Sequence, residues 1–296
     1  MKVEPVAVIG AGPAGLAAAM QLARMGISAR LLERADPGGL LLNAHWVENY
    51  PGFPDGLSGP DLVRLMRRHA ESFGAVLTKD EIVSIVDEDK VFRIKGRARN
   101  YLARRIVLAS GTKARGPAGC EIPPEMEGRI HTEVVALREA SGLRIAVVGA
   151  GDAAFDYAIG LSERNDVTLL KRSAGVRCLS LLRERAAKNA CIDIRNHVNV
   201  LRLAPVPSGG ASVCGTWKGS DFRLDVDAVI FAVGRDPETG CLSRELLENI
   251  PVLRASGRLF PAGDIHNGLC RQASIAAGDG IRAAMEIHRL MKEAGE

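Results

Sequence analysis

Aromatic residues are scarce in this 296-residue chain, with Phe, Trp and Tyr together making up 4% of it. That argues against stacking platforms for single-stranded nucleic acid. The formal net charge is only +4 at pH 7, too small to grip a polyanion, so nucleic acid is not an expected partner. No apolar run is long enough to span a bilayer, and no membrane association is expected. The six histidines stand in no metal-ligand spacing with cysteines or carboxylates, so no metal is expected. No serine sits in a nucleophile elbow. The six cysteines (Cys120, Cys178, Cys191, Cys214, Cys241 and Cys270) are nowhere closer than thirteen residues. A redox dithiol needs two sulfurs within bonding distance, and the spacing offers none. The apolar N-terminus is not read as a secretion signal, because cleavage would destroy a glycine loop inside it. A cytoplasmic protein with reduced cysteines is the expectation.

Glycine, in contrast, is plentiful, and two glycine-rich loops carry most of the information. The first is Gly10-x-Gly12-x-x-Gly15, preceded by the apolar run Val6–Ile9. The second is Gly149-x-Gly151-x-x-Ala154, preceded by Arg144–Val148. A strand-to-helix turn this tight needs glycine where φ is positive or where a phosphate approaches the backbone. The helix that follows offers free N–H groups and the positive end of its dipole to a pyrophosphate. Pro13 suits the first helical position and Gly26 the position just past the helix end.

The two units differ where their second strands end. Ala29–Glu33 ends in a carboxylate, which accepts hydrogen bonds from a ribose and repels a 2′-phosphate. Asp166–Leu170 leads into Lys171 and Arg172, with Arg177 on the following loop, and cations suit a 2′-phosphate. Asp152 opens the second helix, expected over residues 152–163; it suits the dipole but is a like charge to phosphate, so it is read as a capping residue. Two different dinucleotides are implied, one carrying an extra phosphate.

The repeat also sets the organisation. The fold class is α/β, with two Rossmann-like dinucleotide-binding domains. The first is discontinuous, over 1–113 and 238–296, and the second covers 114–237. Turn-rich stretches at 111–124 and 234–240 are the expected crossings. The C-terminal remainder offers one strand signal at 258–262 and one long helix at about 272–293, which is too little to form a core alone.

At this point the chain resembles the low-molecular-weight thioredoxin reductases, of the class II pyridine nucleotide-disulfide oxidoreductases. The resemblance rests on Gly10–Gly15, Gly38-Gly39, Val47–Phe53, Ala109–Thr112, the second loop, Ala232–Arg235, Pro261–Asp264 and Arg271–Ala273. It implies an NAD(P)H-dependent flavoprotein oxidoreductase, with FAD on the first domain and NADPH, or else NADH, on the second. FAD would then meet Gly10, Gly12, Pro13, Ala14, Gly15, Glu33, Gly39, Asn49 and Gly111, with Ile82 beside the adenine. Its ribityl phosphate would lie at Gly263 and Asp264, and its ring against Arg271, Gln272 and Ala273. NADPH would meet Gly149, Gly151, Asp152, Ala153, Ala154, Lys171, Arg172, Arg177 and Gly234. The family usually has two successive arginines after the second-domain strand, whereas here Ser173 follows Arg172. A homodimer is implied as well.

One departure bears on function. Thioredoxin reductases carry a Cys-x-x-Cys just ahead of the second loop, and this chain has His131-Thr-Glu-Val-Val135 there. Electrons are therefore expected to leave for an acceptor other than thioredoxin, either a ferredoxin- or flavodoxin-like carrier or a small molecule. The segment Gly151–Ala158 also resembles the ferredoxin–NADP reductases of thioredoxin-reductase type, which lack the dithiol. One alternative is a disulfide reductase using cysteines outside such a motif, for which Cys270, next to the flavin-side segment, is the candidate catalytic thiol. Another is a non-catalytic flavin- or nucleotide-binding redox sensor. His45 and His266 flank the expected flavin loops and are candidates to gate the acceptor or supply a proton.

Overall fold

The structure is a computed structural model and describes residues 2–175, 177–207 and 209–295. Strand β1 (Val3–Ile9) enters a turn at Gly10, whose φ of 97° is open to glycine, and helix α1 (Pro13–Arg24) leaves it. A Cβ on Gly15 would overlap the Gly10 carbonyl oxygen, so α1 sits directly on the turn. Proline occupies the first turn of α1, and Gly26 follows its end at φ 74°. The chain returns as β2 (Ala29–Glu33), parallel to β1.

Helix α2 (Gly59–Ser72) is capped by Ser58, whose Oγ accepts from Asp61 N at 3.2 Å. Then come β3 (Val76–Lys79), β4 (Ile82–Asp87), β5 (Phe92–Gly96) and β6 (Asn100–Leu108). The chain crosses at β7 (Thr112–Ala114), and β8 (Ile130–His131) precedes the second loop. The second βαβ unit is β9 (Arg144–Val148), α3 (Asp152–Leu161) and β10 (Asp166–Lys171). Helix α4 (Ser180–Lys188) and β11 (Ile192–Asn196) extend it. A meander of β12 (Val198–Pro205), β13 (Ala211–Trp217) and β14 (Ser220–Val226) leads to β15 (Ala228–Phe231). The return crossing, β16 (Arg235–Pro237), pairs with β7. Helices α5 (Arg244–Glu248) and α6 (Ile250–Ala255), strand β17 (Leu259–Pro261) and helix α7 (Ala273–Glu293) complete the chain.

Backbone contacts divide the chain into two compact units. One comprises residues up to Leu42, Val47–Lys113 and everything from Asp236; the other comprises Asn43–Trp46 and Ala114–Arg235. In the first unit the sheet order is β3-β2-β1-β6-β5-β4, and β17 runs parallel beside β6. Helices α1 and α7 pack on one side through Leu16, Ala18, Leu22, Ala284 and Ile287, each at most 2% exposed. In the second unit a parallel sheet in the order β11-β10-β9-β15-β8 packs against α3 through Ala154, Phe155 and Ala158, all fully buried.

The sequence reading needs three amendments. Helix α3 stops at Leu161, two residues short of 163, and Asn165 ties down the chain that follows by donating to the Leu161 and Ala140 carbonyls. The C-terminal remainder holds two more helices, α5 and α6, with Ser243 Oγ accepting from Leu246 N at 3.1 Å as the cap of α5. Strand β17 is three residues long, within the five-residue signal at 258–262. Among the described residues no helix is long and apolar enough to cross a membrane.

Candidate dinucleotide sites

In the first unit, α1 has Gly12 at its N-cap and no side chain capping it. A Cβ on Gly12 would meet nothing nearer than Gly39 Cα at 4.0 Å. The first N–H groups of α1 therefore face open space beside an open backbone, which is the requirement for a pyrophosphate. Glu33 stands at the end of β2, its Oε2 accepting from Ala11 N at 2.7 Å and its Oε1 from Ala35 N at 3.1 Å. The carboxylate is thus fixed against the glycine loop, and each oxygen keeps a further lone pair for a ribose hydroxyl.

The end of the site expected to take the adenine is organised by Asp80, whose N–H donates to the Glu33 carbonyl at 2.8 Å. Its carboxylate accepts from Ala98 N at 3.0 Å and from the Tyr101 hydroxyl at 2.8 Å. Burial pushes this carboxyl up, but the hydrogen bonds prevail and hold it below the usual range. Ile82, half-buried, begins β4 two residues later.

At the other end of the site Asn49 Nδ2 donates to Gln272 Oε1, joining two expected flavin contacts that are far apart in sequence. Gln272 is the N-cap residue of α7 and makes no side-chain cap bond, so the N-terminus of α7 is also open. Ser110 Oγ donates to the Glu238 carbonyl at 2.7 Å, steadying Gly111, around whose Cα a Cβ would meet nothing within 4 Å. Gly263 (φ 79°) lies against α1: a Cβ there would come 2.9 Å from Ala14 Cβ. Asp264 follows it, half-buried. Cys270 and Leu269 are exposed just ahead of α7, and Cys270 N donates to the Asn267 carbonyl at 2.9 Å. His266 lies 4.0 Å from Asp279, and burial lowers its pKa.

In the second unit, Gly151 is the N-cap of α3, again without a side-chain cap, and a Cβ there would meet nothing within 4 Å. Ala154 replaces the third glycine and is fully buried; a Cβ on Gly149 would come 2.8 Å from its methyl. Exposed Ala153 lies beside it in the first turn. Asp152 does not cap α3. Its Oδ1 accepts from Leu179 N at 2.8 Å, and Arg177 N donates to the Ala150 carbonyl at 2.9 Å. These two bonds fold the loop after β10 back onto the glycine loop. Arg172 and Arg177 are exposed on that loop. Lys171 differs from them. Its side chain is buried, its ammonium donates to the Ala174 carbonyl at 3.4 Å and lies 5.8 Å from the Phe155 ring centre, and burial lowers its pKa. Gly234 (φ 122°) accepts from Arg115 N at 2.9 Å.

The stretch expected to replace a dithiol is a packed, redox-inert cluster within the second unit. Glu133 pairs with Arg235 at 3.0 Å and accepts from Asn43 Nδ2 at 3.3 Å. Buried Asn43 accepts in turn from Val134 N at 3.0 Å and Val135 N at 3.3 Å. Nearby, His45 N donates to Asp156 at 2.8 Å, and burial pushes the Tyr157 phenol up to about 12. Asn43, Asp156 and Asp80 escaped the sequence reading; Asn43 and Asp156 show only as polar residues beside apolar ones, and Asp80, between Lys79 and Glu81, shows no local signal. Among the described residues no three His, Cys, Asp or Glu side chains are grouped to hold a metal.

Comparison with known proteins gives the class. The family profile for pyridine nucleotide-disulphide oxidoreductase matches residues 4–279. The chain is 30% identical to thioredoxin reductase of Bacillus subtilis, over 100% of this chain and 97% of that protein. It is 32% identical to thioredoxin reductase of Listeria monocytogenes, over 100% of this chain and 96% of that one. The solved structure of Lactococcus lactis thioredoxin reductase in the FR conformation superposes with a TM-score of 0.84 at 26% identity, covering 99% of this chain and 100% of that one.

The fold and the two open glycine-loop sites are those of a two-dinucleotide flavoprotein oxidoreductase. The chain belongs to the pyridine nucleotide-disulphide oxidoreductase family, and within it is a thioredoxin reductase-like, NAD(P)H-dependent FAD enzyme; FAD and NADPH are the cofactors of that group. The residues present fit both. The first unit offers a carboxylate fixed at the glycine loop, suited to a ribose, and two open helix N-termini, and the second an open helix N-terminus beside two exposed arginines.

Proposed function

We propose that this enzyme takes a hydride from NADPH onto FAD and passes the electrons directly to an acceptor that reaches the flavin, with no internal dithiol relay. The flavin, when bound, supplies the two-electron chemistry. The chain's part is to orient the two nucleotides and to hold the phosphates on open helix N-termini. The observation that carries this reading is the stretch His131–Val135. It contains no cysteine, and its Glu133 is engaged with Arg235 and Asn43. The acceptor is then a ferredoxin- or flavodoxin-like carrier or a small molecule. A cytoplasmic homodimer fits the relatives.

The relatives' names favour a second reading, a disulfide reductase. An external disulfide would need a protein thiol as intermediary, and exposed Cys270 ahead of α7 is the one placed for it. An acceptor screen with NADPH and NADH decides between them, covering ferredoxin, flavodoxin, thioredoxin, small disulfides and quinones. Direct transfer predicts turnover with a carrier or quinone that the Cys270→Ser variant retains in full. Turnover confined to disulfides and abolished in that variant overturns it.

A further inference from the structure

Asp279 is a carboxylate inside the first unit with its side chain 8% exposed, on α7 beside buried Ala276, Gly280 and Ala283. Its Oδ2 accepts from Gly263 N at 3.2 Å and from Asn267 Nδ2 at 2.6 Å. Arg282 lies 3.4 Å from its Oδ1, and His266 Nε2 lies 4.0 Å from its Oδ2. One carboxylate thus ties both ends of the 263–267 turn to α7. That turn carries Gly263-Asp264, the pair expected at the flavin's ribityl phosphate.

The residue after Asp279 fixes the other side of the arrangement. A Cβ on Gly280 would overlap the Ala14 carbonyl oxygen and come 2.9 Å from Ala18 N. Helix α7 therefore lies backbone against backbone on α1, and Ala14 belongs to the α1 turn that faces the pyrophosphate. Gly263 closes the triangle: a Cβ there would lie 2.9 Å from Ala14 Cβ and 3.3 Å from Ala276 Cβ. Helix α1, the Gly263 turn and α7 are packed with no room for slack. A buried carboxylate is costly unless it is hydrogen-bonded, so its presence at this packed junction calls for a role.

We propose that Asp279 is a positioning residue of the flavin site, whose carboxylate sets the distance between the Gly263-Asp264 turn and the N-terminus of α1. This rests on the reading of the first unit as the FAD site. Without the carboxylate, Gly263 N–H and the Asn267 amide lose their common acceptor and the turn is free to move from the phosphate. An amide at position 279 is a poorer replacement: its neutral oxygen gives both donors a weaker acceptor than a carboxylate, and its NH2 group, in the place of Oδ1, would face the Arg282 guanidinium.

The test uses the full chain, stripped of FAD and titrated with it, reading flavin fluorescence and the visible circular dichroism of the bound flavin. Asp279→Asn is expected to weaken FAD binding by about 10- to 100-fold, the range for hydrogen bonds to a charged group, and to change the flavin's dichroism. Asn267→Ala is expected to weaken it less, by about 3- to 10-fold, and carries the test alone if Asp279→Asn does not fold. Glu4→Gln is the control. It breaks the buried pair with Arg30 at the opposite edge of β1, so it lowers stability while leaving FAD affinity unchanged. Asp279→Asn that binds FAD as the unaltered chain does, or that loses affinity only in step with Glu4→Gln, overturns the proposal. An unaltered chain that binds no FAD overturns the flavin reading itself, which is a separate result.

Discussion

Within α3, Asp156 illustrates what burial does to a single side chain. Burial pushes its carboxyl above the usual range, against the N–H bond from His45, and Asp152 adds a smaller push in the same direction. A carboxyl whose folded pKa is raised contributes stability that is complete below its unfolded value of 3.8 and is lost as pH rises through the folded value. The ionised form therefore weighs against folding at neutral pH. Asp156→Asn keeps an oxygen for the His45 N–H and removes the charge. Its thermal midpoint is expected to match or exceed that of the unaltered chain at about pH 7, with the gain shrinking towards about pH 4. A loss of several degrees at neutral pH would mean that the ionised carboxylate is worth more than its desolvation costs.

At the scale of elements, the N-termini of α1, α3 and α7 carry no side-chain cap, a feature they share with the short helices α4 and α6. Helices α2 and α5, which serve no nucleotide, are capped by Ser58 and Ser243. An uncapped terminus leaves donors for a ligand, and the glycines responsible were legible in the sequence because the turn geometry demands them. The loop after β10 was less legible. Sequence spacing treated Lys171, Arg172 and Arg177 as equivalent, whereas β10 runs one residue further than expected and carries Lys171 into the core against Phe155. Arg172 and Arg177 remain exposed. Arg172→Ala is therefore expected to raise KM for NADPH about tenfold and leave KM for NADH unchanged, as loss of one charge-assisted phosphate contact would. Lys171→Met, which keeps the packing on Phe155, is expected to change the NADPH KM by less than about twofold. Steady-state kinetics with both nucleotides would reveal the reverse pattern if the buried ammonium held the phosphate. Helices α5 and α6 escaped notice because five or six residues are too few to display a 3.6-residue period.

For the whole molecule, the repeat of strand, glycine loop and helix was readable at both sites because each loop is a local device. The segment Asn43–Trp46 was not. It clusters with the second unit through Asn43 to Val134 N and His45 to Asp156, partners about ninety and more residues away, and no local pattern records that. The same limit hid Asp279, whose meaning depends on a turn sixteen residues earlier. What the sequence states most plainly is an absence, the missing dithiol at His131–Val135, and the structure fills that place with Glu133, Arg235 and Asn43. Electron storage follows from it. An enzyme with flavin and a redox dithiol takes up four electrons, and one with flavin alone takes up two. The direct test is an anaerobic titration of the FAD-loaded enzyme with NADPH, followed by counting free thiols. Direct transfer predicts that one NADPH per FAD bleaches the flavin fully and that the thiol count is unchanged. Two NADPH per FAD, with two new thiols per chain, would contradict it.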